Sequence, residues 1–211
     1  MVSTPSLPPS RAGSITLLGG ALALDFANTE SGRGHSSHQD HLQAPQNVAE
    51  WLGHARALAP TEAQWLAAEA GGRETLGEAL LRRARALRDD IYACSLAVAR
   101  KGSPSTGALE RLNAYHGRCL ACAELKREGR HFHWRWDIRT EPVEAALAPI
   151  AMSAISILTT FELARVKECD GEHCGWLFYD CTKNNSRRWC EMEICGNRAK
   201  QRRLRARRTP E

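Results

Sequence analysis

The chain has 211 residues, 43% hydrophobic and 25% charged, with a net charge of +5 and eight cysteines. That length suits one core of about 150 residues plus a small module. No apolar run approaches the roughly 20 residues that span a bilayer, and no internal repeat is visible, so neither a membrane nor a repeat protein is expected. The charge is uneven: residues 183–211 hold ten Lys/Arg against three Glu, or +7, leaving −2 for the rest. One basic patch on a near-neutral body points to a polyanionic partner at that end.

Residues 1–13 are rich in Pro and Ser and lack the apolar stretch of a signal peptide. They are expected to be disordered, and the chain reads as cytoplasmic with reduced thiols. Residues 14–24 read as a short hairpin, or a strand running into a helix, around Gly19-Gly20. Asp25, Asn28 and Thr29 follow as a candidate ligand site, a carboxylate and an amide facing a pocket. Local capping and turn bonding, which these residue types favour, is the alternative. His35, His38 and His41 sit three apart, a spacing that would align imidazoles on a helix. Their surroundings are Gly/Ser-rich and read as a loop, so a second metal site is not expected there.

Residues 45–59 form an amphipathic helix with Val48, Trp51, Leu52 and Ala55 on one face. Thr61-Glu-Ala-Gln64 reads as a capping box opening a second helix, ended by Gly71-Gly72. A long helix covers residues 74–100, with Arg82, Arg83, Arg85 and Arg88 as a solvated face. Another spans 106–127. Cys119 and Cys122 lie inside it among Ala and Leu, so core thiols are expected rather than a redox or metal pair. Cys94 and Cys181 are likewise read as unligated. Residues 130–137 alternate Phe132, Trp134 and Trp136 against polar neighbours, a strand with one buried face that would pair with the N-terminal hairpin. Residues 141–167 are apolar around most of the helix, so they should form the central core helix, kinked at Pro149, and deliver the chain directly to Cys169.

Cys169, Cys174, Cys190 and Cys195 form two pairs, each with four residues between, and Gly175 and Gly196 follow the second member of each. Zinc takes thiolates at tetrahedral corners, and a short loop ending in Gly, which tolerates the left-handed backbone, curls two of them toward one ion. Disulfides suit small secreted domains, and unrelated buried thiols would not come paired. One Zn²⁺ per chain is therefore expected, structural because four protein ligands leave no open position. Residues 176–180 read as a strand, 182–186 as a turn, and Arg187 to Trp189 as the return to the second pair. So short a unit should draw much of its folding energy from the metal.

After Cys195, Asn197 is a good N-cap. On the following helix Arg198, Arg202 and Arg205 share one face, and Lys200, Arg203 and Arg207 the opposite one. Duplex phosphates suit that charge density, and a major groove admits a helix. Arg187 and Arg188 would clamp phosphates or, equally, brace Asp180 and the knuckle carbonyls.

Cys174-Gly-Trp-Leu-Phe-Tyr-Asp180, Arg187-Arg-Trp-Cys190 and Cys195-Gly-Asn-Arg-Ala-Lys200 closely resemble the CGNR zinc-finger family over about residues 165–208. In that family the finger follows a mainly helical ABATE domain, which Leu22-Ala-Leu-Asp25-Phe-Ala-Asn28-Thr29 and Trp51-Leu52 also resemble. The resemblance implies a mainly α (α+β) fold. An ABATE-like helical domain with a small antiparallel sheet covers 14–165, and a four-cysteine zinc-ribbon or treble-clef-like finger with a basic C-terminal helix covers 166–211. It also implies a bacterial, stress-induced transcription regulator. The expected partners are double-stranded DNA, an effector of the N-terminal domain and a second copy in a homodimer. The alternative is an RNA-binding or protein-interaction module in which zinc is a scaffold. An enzyme is not expected, since no nucleophile–base motif, phosphate-binding Gly loop or open metal site is visible.

Overall fold

A computed structural model describes residues 9–208. The expected N-terminal disorder lies outside those residues up to position 8. Residues 9–13 instead sit on the body, where Ala12 is buried and the Ser10 hydroxyl donates to the His41 carbonyl at 2.7 Å.

Seven helices and three two-stranded antiparallel sheets follow among the described residues. Helix α1 (Leu22–Ala27) leads to the short ribbon β1 (Glu30–Ser31) and β2 (Gln39–Asp40). Residues 14–18 form no strand, so the expected hairpin is an extended run into α1. Helices α2 (Pro45–His54) and α3 (Pro60–Gly72) each begin on a proline, whose missing N–H costs nothing in a first turn. The Glu62 carboxylate accepts the Ala59 N–H at 3.1 Å, so the box opening α3 lies two residues earlier than the Thr61 motif suggests.

Helix α4 (Glu74–Ala99) is the spine. Its arginines are not a solvated face. Arg88 is buried and holds Asp40 at 2.6 Å and Glu30 at 2.8 Å. Arg83 pairs with Glu144, Arg85 donates to the Leu42 carbonyl at 2.9 Å, and only Arg82 of the four is fully exposed. Glu30 and Asp40, across the ribbon from each other, supply the countercharges that the linear sequence conceals.

Helix α5 (Thr106–Ala121) stops earlier than expected and hands over to β3 (Ala123–Glu128), which pairs with β4 (His131–Trp136). The β4 partner is therefore the end of the expected helix, not the N-terminal segment. Its apolar face is not buried either: Phe132 and Trp134 are 65% and 46% exposed, and Leu125 beside Trp134 is 59% exposed. Only Trp136 reaches the core, its indole donating to the Cys119 carbonyl at 2.7 Å.

Helix α6 (Pro142–Thr160) runs through Pro149 and packs on α1, α4 and α5. It is a longer apolar run than the reading of the sequence allowed, long and apolar enough by length and composition alone to cross a membrane, but nine of its nineteen residues are buried in this core. It ends at Thr160, and a 3₁₀ turn (Leu163–Arg165) carries the chain to β5 (Val166–Glu168). β5 pairs with β6 (Leu177–Tyr179). Val166 and Leu177 belong to the same core as the helices, so the finger grows out of the body without a linker.

Candidate metal centre and nucleic-acid interface

The first cysteine pair caps the β5–β6 hairpin: Cys169 follows β5 and Cys174 precedes β6. Gly175 has φ +68, the left-handed turn expected of it. The second pair comes from an irregular return, since residues 187–189 form no strand, and from a π turn, Met192–Gly196, that carries Cys195. Gly196 has no left-handed backbone. The Met192 thioether packs where a Cβ would stand, so a larger residue there would displace that exposed side chain. The result is a treble-clef-like order: knuckle within a hairpin, second knuckle, helix.

All four sulfurs lie within 4.8 Å of one another. Cys174–Cys190 and Cys190–Cys195 separations are 3.6 and 3.7 Å. A tetrahedron with bonds of about 2.3 Å has edges of about 3.8 Å, whereas a disulfide needs about 2.05 Å. The donor set therefore fits one zinc ion. Sulfur also receives backbone donors: the Cys190 and Gly171 N–H groups reach Cys169 Sγ at 3.2 and 3.4 Å. At Gly171 a Cβ would lie 2.9 Å from Cys195 Sγ. Nothing in the spacing of the cysteines points to that glycine. Phe178 and Trp189 close the centre with apolar cover.

Asp180 organises the rest of the finger. It is fully buried and accepts Lys167 Nζ at 2.7 Å, the Thr182 hydroxyl at 2.6 Å and the Arg187 N–H at 2.8 Å. Burial would raise its carboxyl, but Lys167, then Thr182 and the Arg187 N–H, hold it well below the usual carboxylate range. The remaining cysteines stand apart. Burial raises the thiols of Cys94 and Cys119, the latter to about 12, Cys122 is half-buried, and Cys181 is exposed.

Asp25 lies in α1 and Asn28 and Thr29 directly follow it, and each makes hydrogen bonds within the fold. Asp25 accepts the Gly19 N–H at 2.7 Å, and burial raises its carboxyl to about 6. Thr29 donates to the Phe26 carbonyl. Asn28 clamps the finger: its amide donates to the Leu177 carbonyl and accepts the Leu177 N–H, both at 2.8 Å. His35, His38 and His41 diverge. His35 meets His173 at 2.9 Å, His38 meets Glu30, and His41 is buried, accepting the Arg11 N–H.

The basic end divides in two. Arg187 lies over the Phe178 ring and donates to the Leu18 and Cys190 carbonyls, so it braces the knuckle. Arg188 pairs with Asp170 at 2.8 Å, and Arg202 pairs with Glu172. Helix α7 (Asn197–Arg208) continues directly from the π turn. Asn197 is a helical residue whose amide donates to the Glu193 carbonyl at 2.9 Å, not an N-cap. Ala199 is buried, while Arg198, Lys200, Arg203 and Arg205 are exposed.

A family model described as "Putative stress-induced transcription regulator" (ABATE) matches residues 20–160. A model described as "CGNR zinc finger" matches residues 165–208. No curated protein matches the chain.

Proposed function

Because the chain belongs to the ABATE family and carries a CGNR zinc finger, we propose that it is a cytoplasmic regulator that binds double-stranded DNA through the finger. The observation that carries this reading is α7, a basic helix anchored through Cys195 to the metal centre, with Lys200 and Arg203 turned to solvent. Among the described residues neither has an acidic partner, so both are free to meet phosphates. The Asn197 amide is committed to Glu193, which leaves Arg198, at the helix start, to read guanine by paired hydrogen bonds. The protein binds and signals, and catalyses no reaction. An effector acting through the N-terminal domain and a homodimer belong to the same reading. Phe132, Trp134 and Leu125 offer the dimer an exposed apolar face.

The test is binding of the zinc-loaded chain to duplex DNA and to structured RNA of equal length over a series of salt concentrations. With Arg187 held as a brace, about four phosphates are neutralised, and log K should fall with log salt at a slope of about −3 to −4 for DNA. An absence of salt-sensitive DNA binding, or tighter binding to RNA, replaces this reading with the RNA-binding or scaffold alternative.

A further inference from the structure

We propose that the cleft between the N-terminal segment and the finger binds a small amphipathic organic anion. The cleft holds about 480 Å³, within the roughly 300–1,000 Å³ typical of small-molecule sites. Ile15 and Leu18 line one wall, Trp176 and Ile194 the other, so an apolar body has a surface on both modules. Arg11, from the N-terminal segment, and Arg198, from α7, both line the cleft. Both are exposed, and neither guanidinium has a partner among the described residues. Arg202 is different, being already paired with Glu172. The negative groups of the lining, Glu172, Glu191 and the thiolates of Cys174, Cys190 and Cys195, belong to the finger wall, and Glu172 is taken up by Arg202. There Arg187 lies against the Cys190 carbonyl and offsets them in part. Two guanidinium groups without partners among the described residues, beside an apolar gap, fit a carboxylate or sulfonate on an aromatic or aliphatic body.

The consequence rests on the regulator reading. A ligand anion seated on Arg198 removes a cation from the start of α7, so ligand and DNA weaken each other by the same factor.

The site is tested without DNA. The zinc-loaded full chain is titrated with anilinonaphthalene sulfonate, and the bound probe is displaced by naphthoate or by its uncharged analogue naphthamide. Naphthoate should displace it about tenfold better than naphthamide, and Arg11→Gln and Arg198→Gln should each weaken naphthoate about tenfold at unchanged zinc content. Equal displacement by the two analogues overturns the site, and so does binding that ignores both substitutions or disappears only in Phe132→Ser. The wild-type comparison stands even where a variant folds poorly. In a second arm, saturating naphthoate should lower DNA affinity; unchanged affinity overturns the coupling. A chain that binds naphthoate as described but no DNA keeps the site and sinks the regulator reading instead.

Discussion

At the scale of single residues, the metal centre separates the four clustered thiols from the other four. Cys190 touches two neighbouring sulfurs and places its N–H on a third. Cys190→Ser should therefore release the zinc, while Cys181→Ser, at an exposed thiol outside the cluster, should leave one zinc per chain by metal analysis. Retention in the first or loss in the second would mean a different ligand set. Asp25 gives a pH signature. Burial raises its carboxyl from 3.8 to about 6, so the folded chain binds that proton more tightly than the unfolded one. Its contribution to stability is complete below about pH 4 and is lost as the pH rises through about 6. Asp25→Asn has no such proton. The wild type should lose melting temperature relative to this variant between about pH 4 and 6.5, and a constant difference across that window would refute the shift.

Among the elements, α7 has two working faces. Arg198 and Arg202 line the cleft, whereas Lys200 and Arg203 point away from it. Replacing Lys200 and Arg203 with Ala should weaken DNA binding on all sequences and flatten the salt slope by about two. Arg198→Ala should instead erode discrimination between sequences, worth about 1–3 kcal/mol, with little change in melting temperature, since among the described residues its side chain has no hydrogen bond or ion pair to lose. A melting temperature that falls first would make Arg198 a brace of the knuckle. Elsewhere the elements show where pattern misleads. The alternation of Phe132, Trp134 and Trp136 identifies a strand correctly, because period two belongs to the backbone. It does not say that anything covers the apolar face, and only Trp136 is covered.

For the molecule as a whole, the question is whether the finger is a separate folding unit. β5 and β6 share the body's core through Val166 and Leu177. The seam is bonded by the Asn28 clamp, by the Tyr179 N–H on the Gly19 carbonyl at 2.7 Å and by Arg100 on Glu168 at 2.8 Å. Zinc removal should therefore not melt the finger cleanly away from the helices. After chelation, hydrogen exchange should quicken over residues 182–208 and stay slow in α4, β5 and β6. Uniform loss across both strands would make the finger an independent unit. Asn28→Ala strands the buried Leu177 N–H and carbonyl together, and should cost about 2–4 kcal/mol in denaturant unfolding. The amino-acid sequence by itself determined the zinc ligands, the long helices and the basic end. Cysteine spacing, helical periodicity and charge are local properties, legible over a few turns of chain. Tertiary structure alone decided the roles of Asn28, Arg88, Asp180 and Arg187. Each is a polar side chain whose partner lies elsewhere in the chain or is a backbone group, and burial, which only the fold assigns, turns such a residue from a surface group into a clamp.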